Sequence, residues 1–248
     1  MLSIKNITKF YMQGGRPLEA LKDINFEMQA QEVLGLVGES GSGKSTLAKI
    51  LLRMEKPNSG KIYFHQQDFS KLNQKAHLDL CRKIQIVFQN PYFSLNPQMT
   101  LKQILNEPLD IHQLHTKELR SQKIYQLLDQ VGLAKSHLDR YPHQFSGGQR
   151  QRICIARALS VSPELLNCDE PLSALDLSIQ AQILELLKNC KEEMGLSLLF
   201  ISHDLATVEL IADRVAVMYK GEIIESGMCE QVFKNPLKAY TKQLLQSM

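Results

Sequence analysis

The residues most able to do chemistry lie in three short stretches. The first is Gly38-Glu39-Ser40-Gly41-Ser42-Gly43-Lys44-Ser45, followed by Thr46. Its glycines let successive backbone N–H groups turn toward one point, which makes a nest for an anion. A helix starting near Lys44 would add the positive end of its dipole. Lys44 would neutralise phosphate charge, and the Ser45 hydroxyl would ligate Mg²⁺. The second stretch, Leu165-Leu166-Asn167-Cys168-Asp169-Glu170, is a largely apolar run ending in two acids. Asp169 could hold a Mg²⁺ shell, and Glu170, one residue on, could polarise an attacking water. Asn167 is discordant, because an amide inside a buried strand needs a partner. The third, Ser146-Gly147-Gly148-Gln149, opens a helical stretch with Ile153, Ala156 and Leu159 on one side. A hydroxyl, two bare backbone N–H groups and a helix start make a second anion site.

These stretches need elements to hold them. Gln31–Gly38 is an apolar run ending in glycine, and Lys44–Arg53 has helical spacing. Strand, glycine-rich turn and helix are the context that confirms G-x-x-x-x-G-K-[ST] as a P-loop. That motif marks a P-loop nucleotidase and nothing narrower. Upstream, Ser3–Phe10 alternates apolar and polar residues, as do Ile24, Phe26 and Met28. Both read as half-buried strands. Gly60–Phe64 reads as an edge strand, and Ile84–Phe88 as a strand closed by Gln89-Asn90-Pro91. From Thr100 to Tyr141 the pattern is helical and polar, carried by Leu101, Ile104, Leu105, Ile124, Leu127 and Leu128. Buried strands return at Leu165–Cys168 and Leu198–Ile201, each followed by a helix. Strands interleaved with helices argue for a parallel sheet, with the helical middle inserted into it.

The 248 residues are 44% hydrophobic and 22% charged, enough for one large domain or a core with an inserted lobe. No stretch approaches the roughly 18 apolar residues of a membrane helix. The start, MLSIKNITKF, does not read as a secretory signal. A net charge of +3 does not suggest nucleic-acid binding, and Arg150, Arg152 and Arg157 read as a solvated or subunit-facing helix. The five cysteines, Cys81, Cys154, Cys168, Cys190 and Cys229, form no C-x-x-C pair. They indicate neither a disulfide framework nor zinc, and suit a reducing cytosol.

Phe145-Ser146-Gly147-Gly148-Gln149 closely resembles the ABC signature, usually LSGGQ, and it follows a P-loop and precedes an acid pair. On that basis the chain resembles ABC transporter ATP-binding subunits over nearly its whole length. The resemblance implies an α/β P-loop (RecA-like) parallel-sheet core with an N-terminal antiparallel β-subdomain and an inserted α-helical subdomain. It implies a single ATPase domain over 1–248, divided into core (1–88 and 160–235), helical lobe (89–159) and short tail (236–248). It casts Tyr11 as the aromatic that stacks on adenine and Gln89 as the Q-loop glutamine near Mg²⁺. Ser173-Ala174-Leu175-Asp176 becomes the D-loop, with Asp176 crossing to a partner, and His203 the switch histidine on the γ-phosphate. ATP and Mg²⁺ are the implied ligands, and Ser146–Gln149 caps an ATP held by the opposite subunit. The implied partners are a second ATP-binding subunit, two transmembrane permease subunits and, indirectly, an extracytoplasmic solute-binding protein. The implied place is the cytoplasmic face of the membrane.

Details point to the dipeptide/oligopeptide/nickel importer branch. These are Asn90-Pro91-Tyr92-Phe93-Ser94-Leu95-Asn96-Pro97, which would face the membrane subunit, Tyr141-Pro142-His143-Gln144-Phe145, and Ala174 to Gln180. Asn235-Pro236-Leu237-Lys238-Ala239-Tyr240-Thr241 resembles that branch's N-P-x-x-x-Y-T tail, with Lys238-Ala239 where His-Pro is usual. Peptide import is the expectation, and nickel or a metal chelate the alternative. His112 and His115 have no third ligand and read as solvent-exposed. A non-transport ABC ATPase remains the alternative of another class.

Overall fold

The computed structural model describes residues 1–246. The chain begins with β1 (Leu2–Gln13), β2 (Arg16–Met28), β3 (Val33–Val37), α1 (Lys44–Leu51), β4 (Ser59–Phe64) and β5 (Gln67–Asp68). It continues through α2 (Gln74–Lys83), β6 (Ile84–Val87), α3 (Pro91–Ser94), α4 (Leu101–Ile111), α5 (Lys117–Gln130), α6 (Gly147–Leu159), β7 (Leu165–Asp169) and α7 (Leu177–Met194). Then come β8 (Ser197–Ser202), α8 (Leu205–Ile211), β9 (Arg214–Tyr219), β10 (Glu222–Met228), α9 (Cys229–Lys234) and α10 (Ala239–Gln246). Residues 247 and 248 of the expected tail lie outside the described residues. The fold is α/β, with antiparallel and parallel sheets. By compactness it divides into two units: Met1–His77 with the chain from Ser197 onward, and Leu78–Leu196.

In the first unit, β3 pairs in parallel with β8 on one side and β9 on the other, and β10 continues antiparallel to β9. Every residue of β3 and β8 is buried, which is why both read as unbroken apolar runs rather than alternation. Each large side chain fully removed from water there contributes about 1.5–3 kcal/mol. Helix α8 packs so closely on β3 that a Cβ at Gly35 would stand 2.5 Å from Val208 Cγ1. A second sheet has the order β2-β1-β4-β5, all antiparallel. Its alternation is visible in Leu2, Ile4, Ile24 and Met28, all buried, against exposed Lys5 and Glu27. Strand β4 is not an edge strand, since the two-residue β5 covers its outer side. The hairpin of β9 and β10 also exceeds the sequence-based expectation.

The second unit carries β6 and β7, paired in parallel from Ile84↔Leu165 to Val87↔Cys168, and helices α4 to α7. Helix α4 starts from a capping box, with Thr100 and Gln103 exchanging side-chain hydrogen bonds to backbone. Its Leu101, Ile104 and Leu105 face inward, as the periodicity predicts. On α6, Ile153, Ala156 and Leu159 are fully buried. All five cysteines are free thiols, four of them buried, and burial pushes Cys154 up to about 11. That thiol therefore stays protonated and behaves as a small apolar side chain.

Asn167, in the middle of β7, is completely buried, and neither its amide nitrogen nor its oxygen has a hydrogen-bond partner among the described residues. A buried amide left unpaired costs on the order of 1–3 kcal/mol. Asn167→Val, which suits a strand and removes both orphan atoms, is therefore expected to stabilise the chain by about 1–2 kcal/mol in urea unfolding. A loss of stability instead would mean that the amide is satisfied in the folded protein.

Candidate functional site: a phosphate loop, an acid pair and a capped signature helix

Strand β3 ends at Val37, and the chain turns through Gly38–Gly43 into α1. Two positions in that turn admit glycine alone. At Gly38, φ is +151° and a Cβ would lie 2.2 Å from the Met218 carbonyl oxygen. At Gly43, φ is +109° and a Cβ would meet the Ala20 oxygen at 2.5 Å. Gly43 also caps α1 without any side-chain hydrogen bond, so no side chain occupies the cap position on the first-turn N–H groups. N–H groups at the positive end of a helix suit an anion. Ser40, Gly41 and Ser45 are exposed at the mouth, while Ser42 is buried. Lys44 is only 4% exposed, and its Nζ donates to the Gly38 and Glu39 carbonyls at 2.7 and 2.9 Å. The ammonium is thus held over the loop by the loop's own backbone.

Two further residues of this unit join the loop. Strands β3 and β8 pair in parallel with Val37 opposite Ser202, so Gly38 and His203 both leave the sheet at its carboxyl edge. Ligands of parallel α/β sheets sit at that edge. His203 is exposed there. Tyr11 lies near the end of β1, and its hydroxyl donates a short hydrogen bond to Glu55 and accepts from Thr46 of α1. Burial, then the Glu55 carboxylate, raises the Tyr11 pKa, so the ring stays neutral. Lys9 Nζ stands 5.1 Å from the ring centroid. Sequence reasoning missed Glu55, which also pairs with Lys9 at 3.5 Å and Lys49 at 3.9 Å.

In the second unit, Asp169 is the last residue of β7 and Glu170 leaves the strand at φ +46°. A non-glycine residue in that left-handed region is uncommon and costs of order 1 kcal/mol or more, a cost met most often at functional sites. The bend turns the Glu170 carboxylate to Gln89, whose Nε2 donates to it at 2.9 Å. Gln89 follows β6, the parallel neighbour of β7, so the pairing of these strands delivers the two side chains together. The Gln89 amide oxygen keeps its acceptor capacity. Within this unit Asp169 and Gln89 offer a carboxylate and an amide oxygen, donors of the kind that suits Mg²⁺, as does the Ser45 hydroxyl in the first unit.

The signature residues cap α6. Ser146 Oγ accepts the Gln149 N–H at 3.3 Å, and Gln149 Oε1 accepts the Ser146 N–H at 3.0 Å. That reciprocal box leaves Ser146 and Gly147 exposed and Gly148 buried. Asp176 caps α7 in the same way, with Oδ1 accepting from Ser178 Oγ at 2.7 Å and from the Ile179 N–H at 3.0 Å. Those bonds, the Ser178 hydroxyl first, hold its carboxyl below the usual range.

The P-loop and the acid pair both lie inside residues 21–173, which match the family profile described as ABC transporter. The chain belongs to the ABC transporter family. It is 47% identical to the oligopeptide transport ATP-binding protein OppF of Bacillus subtilis, over 99% of this chain and 81% of that protein. It is 50% identical to the dipeptide transport ATP-binding protein DppF of Escherichia coli, over 93% of this chain and 69% of that one. The dimeric ATP-binding cassette MJ0796, bound to ADP and Pi, superimposes with a TM-score of 0.83 at 31% identity. That match covers 92% of this chain and 99% of the cassette. This cassette is accordingly an ATP-binding ATPase. No helix among its described residues is long and apolar enough to cross a membrane.

The two signature glycines separate packing from function. A Cβ at Gly148 would meet Ile179 Cγ2 at 2.6 Å, whereas one at Gly147 finds only Leu175 Cδ2 at 3.8 Å. Gly148→Ala should cost about 1–3 kcal/mol of unfolding free energy through overcrowding, and Gly147→Ala less than about 0.5. Equal losses in denaturant titrations of the two variants would contradict this packing.

Proposed function

We propose that this chain is the ATP-hydrolysing subunit of an importer of di- or oligopeptides, acting at the cytoplasmic face of the membrane. The observation that carries the catalytic part is the 2.9 Å hydrogen bond between Gln89 Nε2 and the Glu170 carboxylate at the end of β7. It presents a general base and a sensor of the bound state as one unit. In this reading the loop N–H groups and Lys44 bind the triphosphate, and Tyr11 stacks on adenine. Ser45, Asp169 and Gln89 would hold Mg²⁺, which would supply charge neutralisation for the triphosphate. Glu170 accepts the proton of the attacking water, and His203 hydrogen-bonds the γ-phosphate.

Peptide as the cargo rests on the relatives named for oligopeptide and dipeptide transport, at 47% and 50% identity. It rests also on the segment after Gln89, where Tyr92 and Phe93 are 61% and 82% exposed. Two such aromatics on a short helix capped by Asn90 suit a contact with a membrane subunit. We assign the exposed Ser146 and Gly147 to the ATP of a second cassette, of the same or a paralogous chain. The whole chain then serves as one ATPase domain, with two permease subunits above it and a solute-binding protein across the membrane. The extreme exposure of Leu177, 82%, at the start of α7 supports a partner beside Asp176.

Glu170→Gln keeps the side-chain shape and removes the base. In the assembled transporter it should bind ATP and hydrolyse it about 10²- to 10⁴-fold more slowly. Turnover within a factor of two of the unaltered complex would take Glu170 out of catalysis. Cells lacking this chain should lose uptake of labelled peptides and keep nickel uptake; the reverse pattern would reassign the cargo.

A further inference from the structure

The tail resembling N-P-x-x-x-Y-T has no part in the chemistry above, yet it ends on the phosphate loop. Tyr240, on α10, accepts the backbone N–H of Glu39 at its hydroxyl, 3.2 Å away. Its ring lies on Tyr219, the last residue of β9, with centroids 4.1 Å apart and planes inclined by 37°. The turn after Tyr219 reaches the same loop, since the Gly221 N–H donates to the Ser42 carbonyl at 3.0 Å. The start of the tail is fixed independently. Glu225 of β10, only 9% exposed, accepts the Leu237 N–H at 2.7 Å and the Lys238 N–H at 3.1 Å. Thr241 and Leu244 of α10 are buried. The chain that leaves β10 is thus tied at its root by a carboxylate and at its tip by a phenol.

We propose that α10 is a latch on the phosphate loop and that Tyr240 is a positioning residue for ATP binding. The reason lies in what the motif leaves undetermined. Gly38 and Gly43 are fixed as glycines because a Cβ there would lie 2.2 Å from the Met218 oxygen and 2.5 Å from the Ala20 oxygen, but Glu39, between them, is exposed and free of side-chain constraint from the motif itself. A loop whose donors must converge on a phosphate binds well only when its backbone is set in advance, because ordering it on binding costs affinity. Tyr240 sets it by holding the Glu39 N–H, while two carbonyls of the same residues hold Lys44. The aromatic contact with Tyr219 makes the hydroxyl's position depend on β9, an element of the sheet, and not on the tail alone.

This inference rests on the loop being the ATP site. The test uses the full chain, with ATP as the titrant in calorimetry, and ATPase kinetics in the assembled transporter. Tyr240→Phe keeps the ring stack and removes the acceptor of the Glu39 N–H. Its Kd and KM for ATP should rise about 3- to 10-fold, the worth of one hydrogen bond, while kcat at saturating ATP and the unfolding midpoint stay unchanged. Tyr240→Ala, which also loses the stack, should raise Kd further, and Glu225→Gln, which replaces one acceptor of the tail root by a donor, should weaken ATP in the same direction. An unchanged Kd in Tyr240→Phe, with or without a lower unfolding midpoint, overturns the latch. Failure of the unaltered chain to bind ATP at all would instead overturn the assignment of the loop.

Discussion

A triphosphate carries more negative charge than a protein can hold without a dense array of donors aimed at one place. Everything in this cassette depends on building that array from backbone. Side-chain cations alone would demand long, mobile residues whose ordering is costly, whereas N–H groups of a fixed turn are ordered by folding itself. The array is fixed by contacts on either side of the turn, where the Met218 and Ala20 carbonyls leave no room for a Cβ at Gly38 and Gly43. It is completed by Lys44, which is buried and strapped to the loop's own carbonyls. The sheet supplies the foundation. Strands β3 and β8 are buried throughout, and their register places Gly38 and His203 at one edge.

Residues that look functional in the sequence prove to have structural duties as well, and the two are compatible. Ser146 and Asp176 are helix caps, satisfied locally by Gln149, Ser178 and the Ile179 N–H. A cap is a serine or carboxylate held rigidly at the positive end of a helix, which is also what an anion-recognising or interface residue requires. Tyr11 is likewise anchored by its hydroxyl to Glu55 and Thr46, which fixes the ring's position at the end of β1. Gln149 differs in degree, since its side-chain oxygen is committed to the Ser146 N–H.

Local chemistry was the most legible part of the sequence. The P-loop, the apolar strands β3, β6, β7 and β8, and the cap at Ser146 all follow from residue types within a few positions of each other. What escaped the reading lies in longer-range or atypical geometry. The β9–β10 hairpin turns through Lys220 and Gly221, with φ of +47° and +84°, and lysine in that first position hides the usual Asn-Gly or Asp-Gly signal. Strand β5 is two residues long, too short for any period, so β4 read as an edge. The left-handed φ of Glu170 and its bond to Gln89, 81 positions away, have no sequence signature. Nor does the contact of Tyr240 with Glu39, across 201 positions.

In this account phosphate is bound by the turn between β3 and α1, where Lys44 is the only buried cation among the described residues. Calorimetric titration of the full chain with Mg²⁺-ATP, beside Lys44→Ala at matched thermal stability, tests this most directly. Loss of a charged hydrogen-bond donor should weaken ATP about 10- to 100-fold. An equal Kd for the two proteins would contradict it.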